Sequence, residues 1–492
     1  MNKDFSHYLS QSGEVGFVRR VIASLVYVEG LPSARTEELI AFESGEFGQV
    51  MALHKDAVEI LNFARTPVKV GIRAARTGHT VQIPVGDALI GTTIDPLGRL
   101  ISPQEFSEAL TVERAIYAMP PSIQARARIT QPCETGVTIV DLMVPLGKGQ
   151  RELVIGDQKT GKTYFLLRSL LAQVRSGSVG IYAAIGKSKL VVRQVEEFLI
   201  QTGIADRVII VASYAEDPAS IIYLAPYTAM TIAEYFRDSG RDVLVVLDDL
   251  SIHAKMYREI ALLGKRMPGR NAYPGDIFYI HSRLLERAGN FKTQFGDRSI
   301  TCLPVVEAPG GDIAGYIQTN TISMTDGHIL FDYDLFVEGR RPAINPFLSV
   351  TRVGRQAQPD IKKEINQTLI TFLNTAEKLH SFASFGAELT LPVRELLDKE
   401  TKVITFFDQM AYEVIPGNLQ FYLFGLLWND IWKERPKEHM SEEAHMIASL
   451  YTEDPKYRSK IDGLVAPCRS LKELLRVTKT AAKPKPQGAI NT

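Results

Sequence analysis

The sequence predicts a multidomain α/β protein: an N-terminal β-barrel, a central parallel-sheet domain and a C-terminal α-helical bundle. Three observations predict it. Short β-rich pieces punctuated by glycine run from Gly16 to about Pro84. Apolar strands alternate with helical stretches from about Val85 to Pro359, and helical signals dominate from Asp360 onward. At 492 residues the chain is too long for one compact core, and roughly three domains are expected. The boundaries are set at 1–84, 85–359 and 360–492.

In the first region the strand signals are Phe17-Val18, Val26-Tyr27-Val28, Val58-Glu59-Ile60, Val68-Lys69-Val70 and Val81-Gln82-Ile83. Glycines at 30, 45, 48, 71 and 78 separate them, the spacing of a small barrel. In the second region Glu152 to Ile155, Val179 to Ala184, Val208 to Val211 and Val243 to Leu247 read as buried strands. Helices are predicted at Val191 to Ile200 and at Ile221 to Phe236, the latter interrupted by Pro226. Apolar strands separated by helices predict a parallel sheet covered on both faces. In the third region Ile365 to Leu379 and Glu395 to Phe407 have helical spacing. The segment Lys479 to Thr492, with Lys483-Pro484-Lys485-Pro486 in it, reads as a disordered tail.

The motif that carries chemistry is Gly156-Asp157-Gln158-Lys159-Thr160-Gly161-Lys162-Thr163, a G-x-x-x-x-G-K-T pattern. A buried-strand pattern precedes it. Phe165, Leu166, Leu167, Leu170, Leu171 and Val174 follow at helical spacing. Strand, glycine loop and helix form the context that makes this pattern a phosphate-binding loop. The glycines let successive backbone N–H groups point at one anion, and the helix start adds its partial positive charge. Lys162 is expected to reach the outer phosphates and Thr163 to hold Mg²⁺ through its hydroxyl. The chain is therefore expected to bind a nucleoside triphosphate.

The run Val243 to Leu247 ends in Asp248-Asp249, an acid at the carboxyl end of a buried strand. Such a carboxylate is what the Mg²⁺ side of a phosphate-loop site needs. Asp248 is the choice, directly or through a metal-bound water; capping of the strand is the competing reading.

Composition narrows the class. With 56 basic and 56 acidic residues the formal net charge is zero, against a dedicated nucleic-acid binder. Hydrophobic residues make up 45% and charged residues 23%, as in ordinary globular proteins. Cys133, Cys302 and Cys468 have neither metal-ligand nor disulfide-framework spacing, which fits a reducing, cytoplasmic setting. Met1 to Gly13 lacks the apolar core of a signal peptide. No run of about 18 apolar residues is present, so membrane association is expected only through partners.

Several segments together resemble the alpha subunit of the F-type rotary ATP synthase. They include Gly147-Lys148-Gly149-Gln150-Arg151-Glu152-Leu153, Tyr223-Leu224-Ala225-Pro226-Tyr227, Glu234-Tyr235-Phe236-Arg237-Asp238 and Asp248-Asp249-Leu250-Ser251. Ala272-Tyr273-Pro274-Gly275-Asp276 to His281-Ser282-Arg283-Leu284-Leu285-Glu286-Arg287 is similar too. So is Arg341-Pro342-Ala343-Ile344-Asn345 with Leu348-Ser349-Val350-Thr351-Arg352-Val353-Gly354. The likeness runs in order over about residues 14 to 430. It implies a β-barrel, a RecA-like nucleotide domain and a C-terminal helical bundle. It also implies three alpha and three beta subunits alternating around a gamma central shaft and tied to peripheral stator subunits. The complex would sit at the cytoplasmic face of the cell membrane and couple ATP synthesis or hydrolysis to H⁺ or Na⁺ transport.

By the same resemblance Arg341 and Pro342 match adenine-pocket residues, and Gln409, a nucleotide-binding candidate, falls with Tyr412 in a matching stretch, where Ala411 stands in place of a second family Gln. Arg352, supported by Ser349, matches the arginine that an alpha subunit extends into a neighbouring beta subunit's catalytic site. The family's catalytic subunit carries Glu after the glycine that ends the strand following the phosphate-loop helix, and the alpha family usually carries Gln. Here that strand ends Ala184-Ile185-Gly186 and the next residue is Lys187. A protonated lysine has no acceptor with which to orient water. The site therefore reads as non-catalytic, with ATP or ADP and Mg²⁺ bound. Lys187 is expected either in solvent or beside the terminal phosphate. The loop interior Gln158-Lys159, Pro346-Phe347 and the short stretch before Gly16 also depart from the family pattern, as in a divergent branch.

Three other readings compete. A self-sufficient hexameric ATPase of the flagellar or type III export class would need Glu at position 187. A Rho-like RNA translocase would need a basic, aromatic barrel, whereas this one carries Glu37, Glu38, Glu43 and Glu46. A scaffold like the non-catalytic vacuolar-type subunit would lack the intact phosphate loop.

Overall fold

A computed structural model of the protein describes residues 5–102, 112–383 and 390–482, the side chains of 380–383 and 482 excepted. After helix α1 (Phe5–Ser12), six strands close a barrel. They are β1 (Val15–Ile22), β2 (Leu25–Glu29), β3 (Glu38–Phe42), β4 (Phe47–Leu53), β5 (Val58–Asn62) and β6 (Arg73–Thr80). Their order around the barrel is β1-β2-β5-β4-β3-β6, every pair antiparallel. Val18, Val26, Val28, Ile40, Val50 and Ile60 fill the interior. Gly48 allows close strand approach, since a Cβ there would lie 2.5 Å from Ile60.

Two expected strands change. Val68-Lys69-Val70 is not a strand: Val68 is buried, Val70 is 64% exposed, and the chain turns at Gly71 with φ 89°. The Val81–Ile83 signal becomes β7 (Gln82–Val85), outside the barrel. β3, β4 and β6 were not expected as strands, and β6 is too polar to show a strand signal.

The chain continues with β8 (Thr93–Ile94), β9 (Leu100–Ser102) and β10 (Val112–Ala115), then β11 (Pro132–Cys133), helix α2 (Thr138–Met143) and β12 (Leu146–Gly147). Strands and helices then alternate: β13 (Glu152–Gly156), α3 (Lys162–Arg175), β14 (Val179–Lys187), α4 (Lys189–Gln201), β15 (Val208–Tyr214) and α5 (Ala219–Asp238). Next come β16 (Val243–Asp248), α6 (Leu250–Leu263), α7 (Ile277–Leu285), β17 (Gly289–Thr293), β18 (Gly296–Glu307) and α8 (Tyr316–Met324). β19 (Gly327–Phe331), α9 (Tyr333–Val337) and β20 (Val350–Thr351) lead into the helical end. Its helices are α10 (Asp360–Ala383), α11 (Leu391–Phe407), α12 (Gly417–Trp428), α13 (Lys437–Glu453), α14 (Pro455–Val465) and α15 (Leu471–Ala482).

These elements form two compact units. The first comprises Met1–Arg128, Gly149–Gln158 and Val174–Asp326. Besides the barrel it holds the run β13-β18-β16-β14-β15-β8, each neighbouring pair parallel. β9 joins β8 and β17 joins β18 antiparallel, so the sheet is mixed and not wholly parallel. β7 and β10 form a separate antiparallel pair. Continuous burial of β14, β15 and β16 matches their Val/Ile/Leu-rich sequences. Helix α5 runs unbroken through Pro226: Ile222, Leu224, Ala225 and Ala229 around it are buried, and this packing outweighs one missing hydrogen bond.

The second unit comprises Ile129–Lys148, Lys159–Gln173 and Gly327–Thr492. It contains the antiparallel pairs β11–β12 and β19–β20 and the helices α10 to α15. Helix α12 packs against α14 and α15. Phe424 stacks on Trp428 at 5.2 Å, and Leu423, Trp432, Ile461 and Leu474 are buried in the same unit. Helix α15 extends to Ala482, four residues into the segment read as tail; residues 483–492 lie outside the described residues. Among the described residues no helix is long and apolar enough to cross a membrane.

Candidate functional site

The phosphate loop connects β13 to α3 as the pattern requires. Gly156 ends the strand, helix α3 begins at Lys162, and between them Lys159 (φ 60°) and Gly161 (φ 98°) take left-handed backbone conformations. Left-handed residues in a tight loop turn consecutive N–H groups toward one concavity, the geometry that accepts an anion. Thr160 is buried, Lys162 half-buried and Thr163 exposed at the helix start. Gly156 to Gln158 are grouped with the first unit and Lys159 to Thr163 with the second.

In the first unit the loop's opening is held by side chains. Asp157 accepts from the Gln158 N–H at 2.7 Å and from the Gly310 N–H at 2.9 Å. Gln158 donates to Glu307, the last residue of β18, at 3.2 Å. Asp248 ends β16 and is 3% exposed. Both its oxygens are engaged. Tyr182 on β14 donates its hydroxyl to Oδ2 at 2.6 Å, and the Lys187 ammonium lies 2.7 Å from Oδ1. The same ammonium lies 3.3 Å from Asp249, whose other oxygen caps helix α6 by accepting from the Ile252 N–H at 2.8 Å.

Lys187 is thus neither a solvated surface lysine nor without a protein partner. The parallel register of β14 on β16 sets Ala184 opposite Asp248, which brings the end of β14 to the two acids. Burial pushes the Lys187 pKa down, but Asp248 and Asp249 outweigh it and hold the ammonium above its ordinary range. Burial, reinforced by the Asp248 carboxylate, holds Tyr182 firmly protonated. Tyr182 is a residue that sequence reasoning missed. The available signal was a tyrosine inside a fully buried strand, whose hydroxyl needs a partner.

The second unit holds the remaining expected residues. Gln409 is buried and spends its amide on backbone, accepting from the Thr138 N–H at 2.7 Å and donating to the Gly136 carbonyl at 2.9 Å. Arg341 donates to the Phe336 carbonyl at 2.8 Å and lies 3.8 Å over the Phe336 ring. Pro342 lines a cavity of about 220 Å³ with Ile139, Ile344, Phe347 and Phe407. Tyr412 is 52% exposed and meets Tyr164, the residue after Thr163, edge-on at 6.0 Å between ring centroids.

Ser349 donates to the Asn345 carbonyl at 2.6 Å and accepts from the Leu330 N–H of β19 at 2.9 Å. These bonds anchor the segment that leads through β20 to Arg352. Arg352 is exposed, and its charge helps burial lower the pKa of His328. Among the described residues no cluster of three or more His, Cys, Asp or Glu could hold a metal ion.

Comparison with known proteins places the chain in a family. The model of the ATP synthase alpha/beta family, nucleotide-binding domain, matches residues 136–351. The ATP synthase subunit alpha of Aquifex aeolicus is 38% identical over 453 residues, 91% of this chain and 89% of that protein. The subunit alpha of Mycoplasma capricolum is 40% identical over 91% of this chain and 86% of its own length. That of Lactobacillus acidophilus is 40% identical over 87% and 85%. With identities of 38–40% over 87–91% of its length, the chain belongs to the ATP synthase subunit alpha family.

Proposed function

We propose that this alpha subunit binds ATP or ADP without turning it over, and that it lends Arg352 to the catalytic site of a neighbouring beta subunit. The observation that carries the first part is the Lys187 ammonium on Asp248. Hydrolysis needs a group that orients the attacking water. At position 187 an ammonium with no acceptor, already bound to two carboxylates, leaves none. Lys162 at the start of α3 and the backbone of Gly156 to Gly161 would bind the phosphates.

Mg²⁺ ordinarily neutralises a triphosphate in such sites. Thr163 offers it an exposed hydroxyl, but each Asp248 oxygen already has a donor, Tyr182 on one and the Lys187 ammonium on the other, so a metal there would have to share the carboxylate with a fixed cation. The proposed role requires no step at a metal.

Arg352 supports the second part by its exposure beside the anchored Ser349. A planar, permanently charged guanidinium suits the spread charge of phosphoryl transfer. In this reading the chain divides at 1–84, 85–359 and 360–492. It alternates with beta subunits around a gamma shaft, joins peripheral stator subunits, and contacts neither nucleic acid nor the membrane directly. The complex sits at the cytoplasmic face of the cell membrane and couples to H⁺ or Na⁺ transport.

Nucleotide titration and a phosphate-release assay on the purified chain test the non-catalytic role. Binding without turnover is expected. Turnover of about 1 s⁻¹ or faster, abolished by Lys162→Ala, would contradict it.

A further inference from the structure

We propose that the Lys187 ammonium takes the divalent-cation position on Asp248, so that this chain holds its nucleotide with little dependence on Mg²⁺. The proposal rests on the nucleotide-binding reading above and adds which cation serves the site.

Three observations within the first unit carry it. First, the parallel strands β13, β18, β16 and β14 end at one sheet edge. That edge brings together the opening of the phosphate loop, tied to Glu307 by Gln158, and the Asp248 carboxylate. Second, each carboxylate oxygen already has a donor: Tyr182 donates to one at 2.6 Å and the Lys187 ammonium approaches the other to 2.7 Å. Third, Asp249 shares the same ammonium at 3.3 Å, so one fixed cation serves both acids.

The chemistry of the two cations differs. Mg²⁺ demands near-octahedral oxygens at about 2.0–2.1 Å and gives up its waters reluctantly. To reach Asp248, even through a water, it would have to displace the Lys187 ammonium or sit beside it. The first leaves Lys187 in a mostly buried place without its partners; the second sets two cations together. A lysine ammonium is a compact charge with three donors, two of which the acids can take. The charge balance that a metal ordinarily supplies is thus built into the chain, at the position where a catalytic site would need a water-orienting acid.

The test is calorimetric titration of the full-length chain with ATP, once in excess Mg²⁺ and once in EDTA, for the wild type and Lys187→Gln. The expected wild-type dissociation constants agree within about threefold, while Lys187→Gln binds at least about tenfold more weakly in EDTA than in Mg²⁺. A wild type that loses tenfold or more in EDTA would overturn the proposal and leave the nucleotide-binding reading standing. Equal binding in both conditions by both proteins would overturn the assignment to Lys187. Absence of binding by the wild type in both conditions would overturn this proposal and the reading beneath it. If Lys187→Gln does not fold, the wild-type comparison alone decides.

Discussion

Lys187 and Tyr182 divide the Asp248 carboxylate between them, and the pairing is buried enough to matter energetically. Removing one donor from a buried carboxylate leaves an acceptor unsatisfied. Tyr182→Phe is therefore expected to destabilise the fold by about 1–3 kcal/mol, read from chemical denaturation. An unchanged midpoint would show that the bond contributes nothing. At this scale the phosphate loop was fully legible in the sequence, because its eight residues are contiguous and its flanks are local. The partners of Lys187 were not legible. Asp248 and Asp249 lie far along the chain and meet the lysine only through the register of β14 on β16. The same holds for Gln409, whose bonds to the Thr138 and Gly136 backbone join residues far apart in the sequence.

At the scale of elements, burial pattern and local turn chemistry decided what could be read. The sheet strands β13, β14, β15 and β16 were legible because they are buried along nearly their whole length and apolar. The barrel strand β6, with Arg73, Arg76 and His79, was not, because its pairing to β1 and β3 offsets a polar sequence. In the helical region a charge contact ties helix α13 to Glu413. His445 lies 3.0 Å from Glu413, and that hydrogen bond, against the opposing effect of burial, raises the histidine above its ordinary value of 6.5. A raised pKa in the folded state means that the folded protein binds the proton more tightly than the unfolded chain does. The stabilisation is thus fully present below pH 6.5 and is lost as pH rises through the folded-state value. Glu413→Gln should flatten the stability curve across that window, by less than about 1 kcal/mol for a part-exposed pair. Denaturation midpoints at a series of pH values check it; an unaltered slope would contradict it.

At the scale of the whole molecule, three regions of different periodicity were legible, and the structure groups the described elements into two compact units. The grouping escaped sequence reasoning because Ile129–Lys148 and Lys159–Gln173 join the helical unit from positions within the alternating region. The family was legible because its segments occur densely and in order. The chain combines an intact loop, a lysine on the strand-end acids and an exposed arginine just after β20. Together they support the proposed reading of a subunit that holds nucleotide while acting on its neighbour's. The measurement that tests this most directly is steady-state ATP hydrolysis by a complex assembled from Arg352→Ala alpha with wild-type beta and gamma, alongside nucleotide titration of the mutant alpha alone. The account predicts unchanged binding by the alpha chain and hydrolysis reduced by about 10³-fold or more, with Arg352→Lys nearly as damaging. Normal multisite turnover in an intact Arg352→Ala complex would contradict it.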